Sequence, residues 1–148
     1  MSVASERKGP APRRAGRAAT VGYSKRSRLD KLGVKPGMRV ALMGLTEAAF
    51  QHELRTRTED VSVGRPRKDT DMVLFEVNGP AALARLATLR GTIKRNGSIW
   101  VLWPKGQAHI KEDTIRSAAI ARGLVDVKVI AFSETLSGLK LVIPLARR

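Results

Sequence analysis

Gly44 marks the point where this chain is best equipped to hold a ligand. It ends a short apolar run, Val40 to Met43, that follows a Pro36-Gly37 turn, the order of a strand feeding a binding loop. The carboxyl ends of the other early and central apolar runs add Thr46, Gly64, Arg65, Asn78, Trp103 and Lys105. This set is basic rather than acidic. Lys105 with Arg65 or Lys68 suits a phosphate or carboxylate, because an ammonium is a point charge and a guanidinium a bidentate fork; alternatively Lys105 only solvates a strand end. A second polar cluster, Ser133, Glu134, Thr135, Ser137, Gly138 and Lys140, lies between two late apolar runs and reads either as ordinary turn chemistry or as a functional loop. No histidine adjoins it, so a nucleophilic serine has no base. His52 and His109 are far apart and lack metal-ligand spacing with a carboxylate, and no Walker loop, paired-carboxylate signature or zinc pattern is present. No metal site and no catalytic residue are expected.

The elements that must position these groups alternate between short strands and helical segments. Leu29 and Leu32 lie three apart in a short turn that stops at Gly33. Arg39 to Met43 reads as the first strand, and Thr46 as the cap of a helix running to about Arg55. Asp60 to Val63 is a short second strand, followed by the basic loop Gly64-Arg65-Pro66-Arg67-Lys68. DMVLFEV, Asp71 to Val77, has the near-continuous apolar character of a strand buried on both faces of a parallel sheet. Pro80 opens a helix whose inner face is Leu83, Leu86, Ala87 and Arg90, and Asn96-Gly97 ends that segment. SIWVLW, Ser98 to Trp103, is the next central strand, and its two tryptophans, three apart, point to opposite faces. Asp113 reads as the cap of a helix over Thr114 to Arg122 with Ile115, Ala118 and Ala119 inward. Val125 to Phe132 and Leu139 to Pro144 are the last strands. Their six-residue link cannot hold a crossover helix, so they form an antiparallel hairpin. Strand, helix and strand in repetition predict an α/β, Rossmann-like three-layer sandwich, mostly parallel, with helices on both faces.

Length and charge set the partners. The chain has 148 residues, about one ordinary domain. Its net charge of +15 is uneven: residues 1–28 hold eight Lys or Arg against one acid, and the rest 20 against 12. The first 28 residues are rich in Ala, Gly, Pro, Ser and Arg without apolar period, so they read as a disordered basic tail before a domain at 29–148. Arg13, Arg14, Arg17, Lys25, Arg26 and Arg28 give that tail its attraction to polyanions, nucleic acid above all. With Tyr23 as its one aromatic, such binding would run through phosphates, without sequence choice. There are no cysteines, no apolar run near 20 residues and no signal-like h-region, so a cytoplasmic location is expected.

The order of elements resembles the class I S-adenosylmethionine-dependent methyltransferase fold in abbreviated form. DMVLFEV, a helix, then LRGTIKRNGSIWVLWPK is similar to that family's buried strand, helix, glycine turn and following strand. The phrases LGVKPGMRVAL, IWVLWPKG and SETLSGLKLV together resemble a narrower group of small bacterial proteins of this fold with no assigned function, over roughly residues 29–145. The resemblance implies a cofactor site at Gly44, Thr46, Asn78, Trp103 and Lys105. The chain departs from the family's pattern in three places. Of its glycine loop only Gly44 remains. Near Gly64 and Arg65 there is no carboxylate for ribose hydroxyls. Asn78-Gly79-Pro80-Ala81 lacks the second proline and the aromatic of amino-group methyltransferases, and reads as a turn and helix start. The leading expectation is therefore a non-catalytic methyltransferase-like domain with no cofactor and a basic arm for nucleic acid. The alternatives are a methyltransferase binding S-adenosylmethionine in an atypical site, and a scaffold whose Ser133 to Gly138 loop meets a protein partner.

Overall fold

The computed structural model describes residues 27–45 and 47–148. The basic residues Arg13, Arg14, Arg17, Lys25 and Arg26, and the expected helix cap Thr46, lie outside them. The sheet and its covering elements belong to residues 32–148. Before the sheet comes α1, Arg28–Leu32, whose amide at Asp30 donates to the Ser27 hydroxyl at 3.1 Å.

Six strands form one sheet: β1 Val40–Met43, β2 Val61–Val63, β3 Thr70–Glu76, β4 Ile93–Pro104, β5 Val125–Ala131 and β6 Leu136–Val142. Their spatial order is β2-β1-β3-β4-β6-β5. The first four strands are parallel to one another, whereas β6 runs antiparallel to both β4 and β5. The fold is thus α/β and mostly parallel, closing in the expected hairpin.

Helix α2, Ala48–Arg55, links β1 to β2 toward one edge, whereas a 3₁₀ turn, Pro80–Arg85, and α3, Leu86–Arg90, link β3 to β4 in the opposite direction. Right-handed crossovers then place α2 and α3 on opposite faces. Helix α4, Glu112–Ala121, shares the α3 face. There Ala41, Val73, Phe75, Val101, Trp103 and Leu139 pack with Leu83, Leu86, Leu89, Ile115 and Ala119. The alternate strand residues Leu42, Leu74, Trp100 and Leu102 are fully buried on the other face. Phe50 of α2 meets Phe132 edge-on there, with ring centroids 5.1 Å apart. The Trp100 indole N–H donates to the Leu32 carbonyl at 3.0 Å. The two tryptophans do face opposite sides, and both are buried.

One expected loop takes an unusual path, and four local expectations are corrected. First, β2 and β3 flank β1 in parallel but are joined only by Gly64–Asp69, with no helix. A parallel connection normally takes a dozen residues; here β2 is three residues long, so the return path is short. Pro66 is buried, and Arg39 anchors the segment by donating to the Lys68 carbonyl at 2.8 Å. Asp60 accepts from both Arg39 and Arg67. Second, the 3₁₀ turn after Pro80 brings a period of three, so Leu83, Leu86 and Leu89 face inward and Ala87 is exposed. Third, Asn96-Gly97 does not end a segment. It lies within β4, where Thr70 pairs with Ile93 but Met72 already pairs with Ser98, so the added β4 residues bulge out of register. Fourth, Lys111 in extended conformation caps α4, its N–H donating to the Thr114 hydroxyl, and Asp113 falls in the first turn, where it favours the helix dipole. Fifth, the final link is shorter than six residues: β6 begins at Leu136, so Ser137, Gly138 and Lys140 are strand residues. No helix among the described residues is long and apolar enough to cross a membrane.

Candidate functional site

The strand order reverses at β1, and in open parallel sheets the crevice beyond the carboxyl ends of the strands at such a point is where ligands sit. Gly44 is placed there, immediately after β1, with φ +76°. A side chain at this position is disfavoured by backbone and by space, since a Cβ would stand 3.0 Å from the Glu76 carbonyl oxygen. The missing side chain lets the end of β1 lie directly against the end of β3.

Two clefts open beside it on the α3 face, sharing Met43, Gly44 and Arg85. The larger, of about 760 Å³, is walled by Gly64, Arg65 and Pro66 of the helix-free crossover and by Thr88, Leu89 and Thr92. No carboxylate lines it among the described residues. The smaller, of about 510 Å³, lies against Phe75 to Gly79 and Ala82. A third hollow, of about 550 Å³, is acidic, with Glu47, Glu76 and Glu134 beside Leu45, Ser133 and Thr135. Burial, and then the neighbouring Glu47, push the Glu76 carboxyl above the usual carboxylate range. Its contribution to stability therefore falls as pH rises past 4.5 toward that raised value.

The expected site residues separate on this frame. Gly44, Arg65 and Asn78 come to the two clefts, whereas Trp103 is packed in the core at 6% exposure. Lys105 is exposed, its backbone N–H bonded to the Thr135 carbonyl, and it lines none of these three cavities. Lys68 is exposed at the other end of the crossover, near Arg39. Asn78 makes the expected turn: its carbonyl accepts from His109 Nε2 at 2.7 Å, and Gly79 caps the Pro80 helix. Arg28 is half-buried on α1.

The late polar cluster divides by role. The Ser133 hydroxyl accepts from the Thr135 and Leu136 amides at 3.2 and 3.0 Å, which shapes the hairpin turn. Thr135 and Glu134 line the acidic hollow. Ser137 and Gly138 pair with Trp103 and Leu102. Gly138 is required by contact, since a Cβ there would stand 3.0 Å from Leu102 and 3.3 Å from Trp100.

Lys140 continues a row across the sheet, Leu42, Leu74, Trp100, Lys140 and Lys128, each directly opposite the next. Burial, with Lys128 and Lys35 nearby, holds its amine below the ordinary lysine value of 10.5. The unfolded chain thus binds the extra proton, and stability rises with pH through the window just below 10.5. Lys140→Met keeps the aliphatic stem and removes the like-charge pair. We expect it to stabilise the protein by about 0.5 kcal/mol at neutral pH, an advantage that shrinks as pH approaches 10.5. Urea titrations across that range check the trend; a constant difference would place its origin in packing.

Glu47, Glu76 and Arg85 line the cavities at the switch point and were not expected there from the sequence. Glu76 left a signal, an acid interrupting the apolar run DMVLFEV. Arg85 left none, because the period of the 3₁₀ turn decides where it points.

No protein-family model matches the chain, and no curated protein does. Solved structures do. A putative methyltransferase from Thermoplasma acidophilum superposes with a TM-score of 0.60 at 9% identity, covering 77% of this chain and 71% of that one. The fold is methyltransferase-like. A SAM-dependent methyltransferase from Aquifex aeolicus gives 0.62 at 14% identity, over 78% of this methyltransferase-like chain and 87% of that chain. The magnesium protoporphyrin IX methyltransferase of Synechocystis PCC 6803, with bound SAH, gives 0.55 at 11% identity over 78% of each chain.

Proposed function

We propose that this methyltransferase-like domain is an S-adenosylmethionine-dependent methyltransferase with an atypical cofactor site, in place of the non-catalytic domain expected from its lost motifs. The observation that carries the reading is the open switch point. Among the described residues no side chain fills the space beyond Gly44, and the clefts of about 760 and 510 Å³ are of the size ligand sites have. Solved structures of the same fold that hold S-adenosylhomocysteine support it.

The residues suit one half of such a cofactor. Gly44 leaves the backbone open to close approach, and the half-buried carboxylate of Glu76 suits the sulfonium and ammonium charges of the methionine part. The other half is held differently from the family's usual manner, because Gly64 and Arg65 offer no acceptor to ribose. When bound, the cofactor supplies an electrophilic methyl group on sulfur. The chain's own part is to hold the cation at Glu76, fix the Asn78 turn through His109, and wall off water with Met43 and Phe75. A polyanion partner for the basic arm belongs to the same proposal and rests on charge.

Calorimetric titration of the full chain with S-adenosylmethionine tests the reading. Micromolar binding, weakened about tenfold by Glu76→Gln as a charge-assisted contact is lost, is the expected result. No heat with S-adenosylmethionine or S-adenosylhomocysteine would overturn it.

A further inference from the structure

We infer that the larger cleft, of about 760 Å³, binds a phosphorylated ligand of nucleotide size, gripped by Arg65 and Arg85. Most arginines of the described domain are already engaged. Arg39, Arg67 and Arg116 pair with carboxylates, and Arg57, Arg90, Arg122 and Arg148 donate to backbone carbonyls. Arg65 and Arg85 have neither kind of partner among the described residues, and they are the two charged groups lining this cleft. Arg65 comes from the crossover after β2 and Arg85 from the 3₁₀ turn after β3, so they approach from different walls.

Two forked donors lining one cleft, with no carboxylate among its described lining residues, match a phosphate, which accepts bidentate hydrogen bonds on several oxygens. The remaining lining divides in the way a nucleoside needs. Met43, Pro66 and Leu89 form apolar walls for a flat ring, and Thr88 offers a hydroxyl. The volume lies within the range of small-molecule sites. This inference stands without the cofactor reading; together with it, the cofactor's methionine part lies in the smaller cleft and the phosphorylated ligand in the larger one is the methyl acceptor, the two clefts meeting at Met43, Gly44 and Arg85.

The test is calorimetry on the full chain with AMP, adenosine and inorganic phosphate, with S-adenosylmethionine titrated in parallel. AMP should bind at least about tenfold more tightly than either adenosine or phosphate alone. Arg65→Gln with Arg85→Gln should reduce the AMP preference over adenosine to less than about twofold, and Arg85→Lys, which keeps charge but loses the fork, should reduce it by about threefold. Arg95→Gln with Arg147→Gln removes the same charge at two positions that do not line the cleft and should leave the preference intact. An equal loss in both double variants would show only the general field of a basic protein and overturn the site. So would an AMP affinity no better than that of adenosine or of phosphate. Loss of S-adenosylmethionine binding alone, with the AMP preference intact, counts against the methyltransferase reading and not against this one.

Discussion

Trp100→Ala should remove about 3–5 kcal/mol of stability, a large share of the roughly 5–15 kcal/mol that holds a domain together. Trp100 has no exposed surface, sits mid-strand in β4 and lies in register with Leu74 on one side and Lys140 on the other. Its ring also borders Gly138, whose bare backbone exists to admit it. Truncation therefore opens a cavity that β6 cannot close without breaking its pairing with β4. Trp100→Phe separates two contributions: most of the ring area stays, but the Leu32 carbonyl loses its 3.0 Å donor. That variant should lose about 1–2 kcal/mol. Urea unfolding at constant m-value measures both; a loss below about 1 kcal/mol for the alanine variant would mean that the face collapses freely, contrary to its packing.

Gly44→Val should cost about 2–3 kcal/mol and weaken S-adenosylmethionine binding by about 100-fold. Two penalties coincide. The backbone at φ +76° is one that a β-branched residue adopts only under strain, and the new Cβ presses on the Glu76 carbonyl 3.0 Å away. Pushing that carbonyl displaces the end of β3, and with it the Glu76 carboxylate. Gly37→Val is the control, because Gly37 has φ +85° but nothing within 4 Å of its Cβ. It should show comparable strain and unchanged ligand binding. Binding loss in both variants would trace the effect to general destabilisation and remove Gly44 from the site.

The division between local and long-range information explains which parts were legible. The strands were legible because apolar runs of four to eight residues bounded by turns are contained in neighbouring residues, although β4 begins at Ile93 instead of Ser98 and β6 at Leu136 instead of Leu139. The closing hairpin was legible for the same reason: its link is too short for anything else. The parallel placement of β2 and β3 on either side of β1 was not, since the six-residue loop between them is compatible with either a hairpin or a crossover until β2 is seen to pair in parallel with β1. Likewise the inner face after Pro80 depended on three residues per turn instead of 3.6, which proline at a helix start does not announce.

The site follows the same rule. Gly44, Asn78 and Arg65 could be named from the chain because each ends a strand or opens a turn. The encounter of Arg65 with Arg85, of Glu76 with Glu47, and of Lys140 with Lys128 and Lys35 joins residues on different elements, and strand order alone brings them together. By itself, then, the sequence determined the alternation of elements, the antiparallel close and the loss of the glycine loop and ribose carboxylate. Only the tertiary structure decided that, among the described residues, the switch point stays open, with acid on one side and two arginines without a described partner on the other. Local pattern is set by near neighbours along the chain, whereas the charge of a cleft is the sum over elements that meet only when the sheet is assembled.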